Sequence, residues 1–81
     1  MQNKIKMLHV RDLNLASLLK AKGYKFHEVE WEGNVAYFLF EDKQNQGDRL
    51  IQKYLNGRVT GNLKKFADAQ RTLKNILFSN K

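Results

Sequence analysis

Two segments rich in aromatic and β-branched residues, Tyr24 to Trp31 and Val35 to Glu41, flank Glu32-Gly33-Asn34, and this arrangement constrains the fold more than any other feature of the chain. Gly-Asn is turn chemistry, so the two segments are expected to pair as an antiparallel hairpin. Along the first segment the side-chain phase changes. Tyr24 and Phe26 fall on one parity and Val29 and Trp31 on the other, with Glu28, Glu30 and Glu32 opposite them. One extra residue near His27 would flip the phase, so a β-bulge is expected there. In the second segment Ala36, Phe38 and Phe40 form one face and Val35, Tyr37 and Leu39 the other, both apolar. One face must cover helices, and the other is either covered by the rest of the chain or open to a ligand.

Helical spacing surrounds the hairpin. Asp12 can accept from the amides two and three residues on, which predicts a capped helix through LNLASLLKAK that ends at Gly23. Leu15, Leu18, Leu19 and Lys22 share its inward face, widened by Leu13, Ala16 and Ala21, while Asn14, Ser17 and Lys20 are expected in solvent. Asp42 is expected to cap a second helix from about Gln44 to Leu55, with Leu50, Ile51, Tyr54 and Leu55 in helical register before Asn56-Gly57 stops it. After the short basic linker Arg58 to Gly61, Asn62 caps a third helix from Leu63 to about Phe78. Its inward stripe is read as Leu63, Phe66, Ala67, Gln70, Leu73 and Leu77. Lys64, Lys65, Asp68, Arg71 and Asn75 are left on an outer face that is basic on balance. Lys4 to Val10 alternates loosely, with Ile5 and Met7 on one face, and predicts a short N-terminal strand.

The expectation is an α+β fold in the order β-α-β-β-α-α, an antiparallel hairpin plus a short N-terminal strand packed on three helices. At 81 residues and 42% hydrophobic content, one modest core fits and a second domain does not, so residues 1–81 are read as a single domain. The longest apolar run, Val35 to Phe40, is too short to cross a bilayer, and the start of the chain lacks the apolar stretch of a signal peptide. With no cysteine there is neither a disulfide framework nor a thiolate zinc site, and a reducing cytoplasm fits best.

Charge is large and segregated. Fifteen Lys and Arg against eight Asp and Glu leave +7, an excess that favours polyanions. Residues 1–27 carry six basic groups and one acid, residues 28–48 six acids and Lys43, and residues 49–81 eight basic groups and Asp68. Two basic ends flanking an acidic middle suggest one positive surface built from both ends, with the acids facing elsewhere.

Catalytic constellations are not evident. No glycine-rich phosphate loop occurs, no Ser or Thr lies beside a plausible histidine partner, and His9 and His27 are too few for a metal cluster. Glu28, Glu30 and Glu32 form one carboxylate row, which reads as a solvated strand face, because metal cages draw ligands from several elements. A non-enzymatic protein without cofactor or metal is expected. Single-stranded nucleic acid, by contrast, needs a cationic track for phosphates and aromatic faces for unstacked bases, and both residue types are present. Lys25, Trp31 and Tyr37 lie on the hairpin, Arg58 in the linker, and Lys64, Lys65, Arg71 and Lys74 on the last helix. Each has a duller role available: Tyr37 and Trp31 as packing, Lys64 and Lys65 as a solvated helix face. Arg71 and Lys74 adjoin the inward stripe and can lay their stems along it while presenting charge at an edge. Duplex reading is disfavoured, since no convincing helix-turn-helix pair is present.

Asp12-Leu13-x-Leu15-Ala16-Ser17-Leu18-Leu19, Ala21-Lys22-Gly23-Tyr24-Lys25, Phe38-Leu39-Phe40-Glu41-Asp42 and Arg71-x-Leu73-Lys74-x-Ile76-Leu77 together make a pattern that runs from about Val10 to Phe78. In these residues the chain resembles a family of small proteins of phages and mobile elements of Gram-positive bacteria, catalogued as a domain of unknown function. Proteins of this kind are similar to the single-stranded DNA-binding proteins that mobile elements encode beside their primases, which do not use the oligonucleotide-binding barrel. The resemblance implies a sequence-tolerant single-stranded DNA-binding protein acting in replication as a coating protein or primase accessory. Lys25, Arg71 and Lys74 are then the matching positions expected to meet phosphate. The implied partners are single-stranded DNA and a primase or helicase, with no membrane, and exposed hairpin edges leave self-association along DNA open. The competing expectations are a protein-protein adaptor or inhibitor docking through the acidic hairpin, and a small transcriptional regulator.

Overall fold

In the computed structural model, which describes residues 5–79, the elements follow the expected order: β1 (Met7–Val10), α1 (Leu13–Ala21), β2 (Phe26–Glu32), β3 (Val35–Glu41), α2 (Gly47–Leu55) and α3 (Leu63–Ser79). The strands form one antiparallel sheet in the order β1-β3-β2. The short N-terminal strand thus exists, beginning at Met7, while the Lys4 included in its predicted span lies outside the described residues. Leu8 and Val10 are its buried residues, whereas Ile5 is exposed and Met7 half-buried.

The hairpin closes with Glu32 opposite Val35, so Gly33-Asn34 is a two-residue connection. Gly33 has φ 63° at its first central position, the backbone that a type II′ turn demands and that a side chain resists. The expected bulge is present as well. Phe26 pairs with Phe40 and Glu28 with Leu39, leaving His27 as the extra residue. The consequence is the phase flip: Phe26 and Val29 both turn toward the core, although they lie an odd number of positions, three, apart.

Register divides the sheet into two faces. Leu8, Val10, Phe26, Val29, Phe38 and Phe40 line one, and all three helices pack against the core on that side, through Leu15, Ala16, Leu18 and Leu19 of α1, Leu50, Ile51 and Tyr54 of α2, and Phe66, Leu73, Ile76 and Leu77 of α3. The Phe26 ring meets Phe40 at 5.5 Å and Phe38 at 6.4 Å between centroids, tilted in both cases, which is favourable aromatic geometry. Met7, His9, Leu39, Tyr37, Glu28, Glu30 and Glu32 make the second face.

Asp12 caps α1 as expected, accepting from the amides of Asn14 at 2.8 Å and Leu15 at 3.3 Å. Gly23, with φ 95°, ends it. Two details depart from the expected faces. Ser17 is fully buried rather than solvated, because its hydroxyl donates to the Leu13 carbonyl at 2.7 Å and so satisfies itself inside the core. Lys22, expected inward, is the exposed C-cap, and its ammonium donates to the Thr60 carbonyl at 2.6 Å.

Asp42 does cap α2, but from a distance. The helix starts at Gly47 rather than Gln44, and the buried carboxylate reaches forward to accept from the Gln46 and Gly47 amides, each at 3.0 Å. Leu55, expected inward, is 67% exposed. In α3, Asn62 caps through the Lys65 amide at 2.9 Å, but the inward stripe is Phe66, Ala69, Gln70, Leu73, Ile76 and Leu77. Leu63 is 84% exposed and Ala67 is also in solvent, so the stripe begins one turn later than its apolar residues suggest. Helices α1 and α3 run antiparallel, with the Gln70 amide donating to Asn14 Oδ1 at 2.7 Å at one end and Lys22 reaching Thr60 at the other.

Candidate nucleic-acid interface

A cleft of about 500 Å³ opens where the end of α1, the start of the hairpin and α2 meet. Lys22 and Lys25 come to it from the α1–β2 junction, Lys43 from the loop after β3, and Arg49 and Lys53 from α2, where their four-residue spacing puts both on one side of the helix. Leu50 lines it between them, and Tyr24 supplies an aromatic wall. The tyrosine hydroxyl is pushed up from its ordinary pKa by burial and by the Asp42 charge, so it stays neutral and able to donate.

Two acids, Glu41 and Asp42, also line this cleft, and both are buried and engaged. Each Asp42 carboxylate oxygen accepts from one backbone amide at the start of α2, Oδ1 from Gln46 and Oδ2 from Gly47. Glu41 lies among three basic groups: its Oε2 accepts from His27 Nε2 and lies 3.8 Å from Lys25 Nζ, and its Oε1 lies 3.6 Å from Lys43 Nζ. The His27 hydrogen bond, then the charges of Lys25 and Lys43, hold its pKa below the usual carboxylate value against the opposing effect of burial. The cleft therefore presents a cationic rim around two sequestered carboxylates. Lys22, Arg49 and Lys53 are exposed, and among the described residues none of the three forms an ion pair.

A second cleft of about 530 Å³ adjoins the first through Lys22, which lines both. Its walls are mainly apolar, from Leu18, Tyr54, Val59, Leu63 and Phe66, and Lys65 stands at its rim. The Tyr54 hydroxyl donates to Asp12 Oδ2 at 3.1 Å, which ties α2 to the start of α1. That bond, after burial, raises the tyrosine pKa.

The residues expected from sequence to form one groove are distributed over several surfaces. Lys25 lies in the cationic cleft and Lys65 on the apolar one, so Lys22 links them. Arg58 is exposed in the α2–α3 linker, its amide donating to the Lys53 carbonyl at 2.9 Å. Lys64 and Arg71 both pair with Asp68, at 3.0 and 3.4 Å, which offsets part of the charge on the outer face of α3. Lys74 is exposed one turn beyond Arg71 on the same helix. Trp31 is 36% exposed on the helix-facing side of the hairpin near its tip, whereas Tyr37 is half-buried on the opposite side of the sheet, directly across from Glu30. The two aromatics thus stand on opposite faces, and Tyr37 sits among carboxylates. The segregation of charge has a matching geometry: Glu28, Glu30 and Glu32 point to the sheet face away from the helices. Sequence reasoning passed over Lys22, Lys43, Arg49, Lys53 and the walls Tyr24 and Tyr54. The one available signal was the Arg49, Leu50, Lys53, Tyr54 alternation of charge and apolar surface on α2.

Among the described residues no group of three or more His, Cys, Asp or Glu comes together as a metal site would require, and no helix is long and apolar enough to cross a membrane. A family model described as a domain of unknown function, DUF5659, matches residues 6–79. No curated protein and no solved structure matches the chain.

Proposed function

Because the chain belongs to the DUF5659 family, whose description assigns no activity, we propose from its own surface that it is a sequence-tolerant, non-enzymatic single-stranded DNA-binding protein. Its setting in this reading is the cytoplasm of a Gram-positive host, encoded by a phage or mobile element and acting in replication beside a primase or helicase. The observation that carries the reading is the cationic cleft. Five basic side chains from three separate segments converge on it, and the two carboxylates that line it, Glu41 and Asp42, are held by a histidine, two lysines and the α2 amides. A groove of positive charge gathered from a strand junction, a loop and one side of a short helix, with an aromatic wall, suits a flexible polyanion better than a duplex groove. Origin and replication setting rest on the resemblance in Asp12–Leu19, Ala21–Lys25, Phe38–Asp42 and Arg71–Leu77.

Fluorescence anisotropy with labelled oligo-dT across a salt series tests this reading. Log affinity is expected to fall linearly with log salt, at a slope of roughly −0.7 per phosphate contacted. Combined Arg49→Glu and Lys53→Glu substitution, both at exposed positions on α2, should abolish binding without unfolding the chain. Failure of the wild type to bind at low salt, or a preference for duplex, overturns the proposal.

One observation favours a second reading. The carboxylate row Glu28, Glu30 and Glu32, with Tyr37 among them, forms an acidic and partly apolar sheet face directed away from the helices. An adaptor or inhibitor that docks a basic protein would use it. Reversal of Glu28 and Glu30 would then disrupt a protein complex while leaving oligonucleotide binding intact.

A further inference from the structure

The apolar cleft beside the cationic one has no role in the single-strand reading as it stands, since phosphates have no use for Leu18, Ala21, Tyr54, Val59, Leu63 and Phe66. Nor does stability explain all of these residues. Leu63 opens α3 with 84% of its surface in solvent and makes no part of the core cluster. The chain could hold a polar residue there at no cost to the fold. At this position the exposed Leu63 lines a groove together with the half-buried Tyr54 and Phe66.

We propose that this second cleft receives nucleobases of a strand whose phosphates follow the cationic cleft. The inference rests on the single-strand reading above. Three observations set the ligand class. The two clefts share Lys22, whose ammonium is anchored to the Thr60 carbonyl at the boundary between them, so one ligand can occupy both. Two aromatic side chains, Tyr54 and Phe66, stand among the walls, and stacking of a base on an aromatic ring is indifferent to which base is presented. Lys22 and Lys65 flank the groove with positive charge, which suits a ring carried on a phosphodiester and opposes none of its charges. The groove also explains a choice that charge alone leaves open. A base held in a duplex is stacked and paired, and only an unpaired strand can offer it to the groove. The hairpin aromatics expected to stack are replaced in this assignment by Tyr54 and Phe66.

The test compares labelled oligo-dT with an abasic deoxyribose-phosphate oligomer of equal length, by anisotropy at one salt concentration and over a salt series. The wild type is expected to bind oligo-dT about tenfold or more tightly than the abasic chain. Tyr54→Leu, which removes the aromatic face together with the hydroxyl bond to Asp12, and Leu63→Ser, which changes an exposed position outside the core and touches no such bond, should each move that ratio toward one. Neither should alter the salt slope or the affinity for the abasic oligomer. Equal binding of the two oligomers by the wild type overturns the base site while leaving the phosphate reading standing. A dT preference that survives both substitutions places the bases elsewhere and likewise overturns it. Binding of neither oligomer overturns both.

Discussion

Gly47 stands at the start of α2, where alanine would ordinarily be the better helix former by about 1 kcal/mol. Here a Cβ would come 2.6 Å from Leu8 Cδ1 and 2.7 Å from Asp42 Oδ2. Neither atom can yield cheaply, since Leu8 is packed in the core and the Asp42 carboxylate is held by two amides. Gly47→Ala is therefore expected to destabilise by about 1–3 kcal/mol, reversing the sign that helix propensity predicts, with urea midpoints as the measurement. Glu41 makes a pH-dependent contribution at the same scale. Its carboxyl is held below the ordinary value by His27 first and then by Lys25 and Lys43. A depressed folded-state pKa means that the unfolded chain binds the proton more readily, so this stabilisation is full above the ordinary glutamate value of 4.5 and is lost as pH falls through the folded value. Urea titrations from neutral pH to below 4 should show stability falling on acidification, and the fall should be shallower in Glu41→Gln. An unchanged pH slope in that variant would show that Glu41 carries no part of the linkage.

At the scale of elements, α2 is the loosely held one. Only Gly47 of its nine residues is buried, and it meets the core through the half-buried Leu50, Ile51 and Tyr54. Helix α1 has the same length but buries five consecutive residues, Leu15 to Leu19. Local opening should follow that difference, so amides of α2 are expected to exchange hydrogen well ahead of those of α1 and β3 under native conditions. Equal protection of α1 and α2 would contradict it. Removing the buried cap should enlarge the gap: Asp42→Ala frees the Gln46 and Gly47 amides and is expected to cost about 2 kcal/mol, concentrated in α2. Helix α3 shows why apolar periodicity misjudged its inward face. It is seventeen residues long and α1 is nine, so α1 can accompany only about half of its length at 1.5 Å per residue. That half is the first, and α1 ends level with Leu63, which therefore has the right spacing for an inward residue but borders the apolar cleft at the end of α1 instead of the core.

Across the whole molecule, charge is sorted by surface. The carboxylate row occupies the sheet face away from the helices, and the cationic cleft lies between α1, the hairpin and α2. The outer face of α3 is basic too, but Lys64 and Arg71 share Asp68. This predicts an asymmetry between two pairs of substitutions that remove equal charge. Arg49→Ala with Lys53→Ala should weaken oligonucleotide binding and flatten its salt dependence, whereas Lys64→Ala with Arg71→Ala should do so less, because part of that charge is already offset. Equal losses in the two pairs would point to binding by net charge alone. What sequence could establish by itself was what local physics decides: the Gly33-Asn34 turn, the Asp12, Asp42 and Asn62 caps, the stops at Gly23 and Gly57, and the His27 bulge betrayed by a change of side-chain parity. Each depends on neighbours a few residues apart. The composition of the clefts was decided only in three dimensions. Lys22, Lys25, Lys43, Arg49 and Lys53 are surface residues, and burial periodicity places no constraint on where exposed side chains from different segments meet. The same holds for Glu41 and Asp42, adjacent in sequence and alike in charge. Strand alternation turns one toward His27 and the other toward the α2 amides, and that divergence lets basic side chains surround two acids.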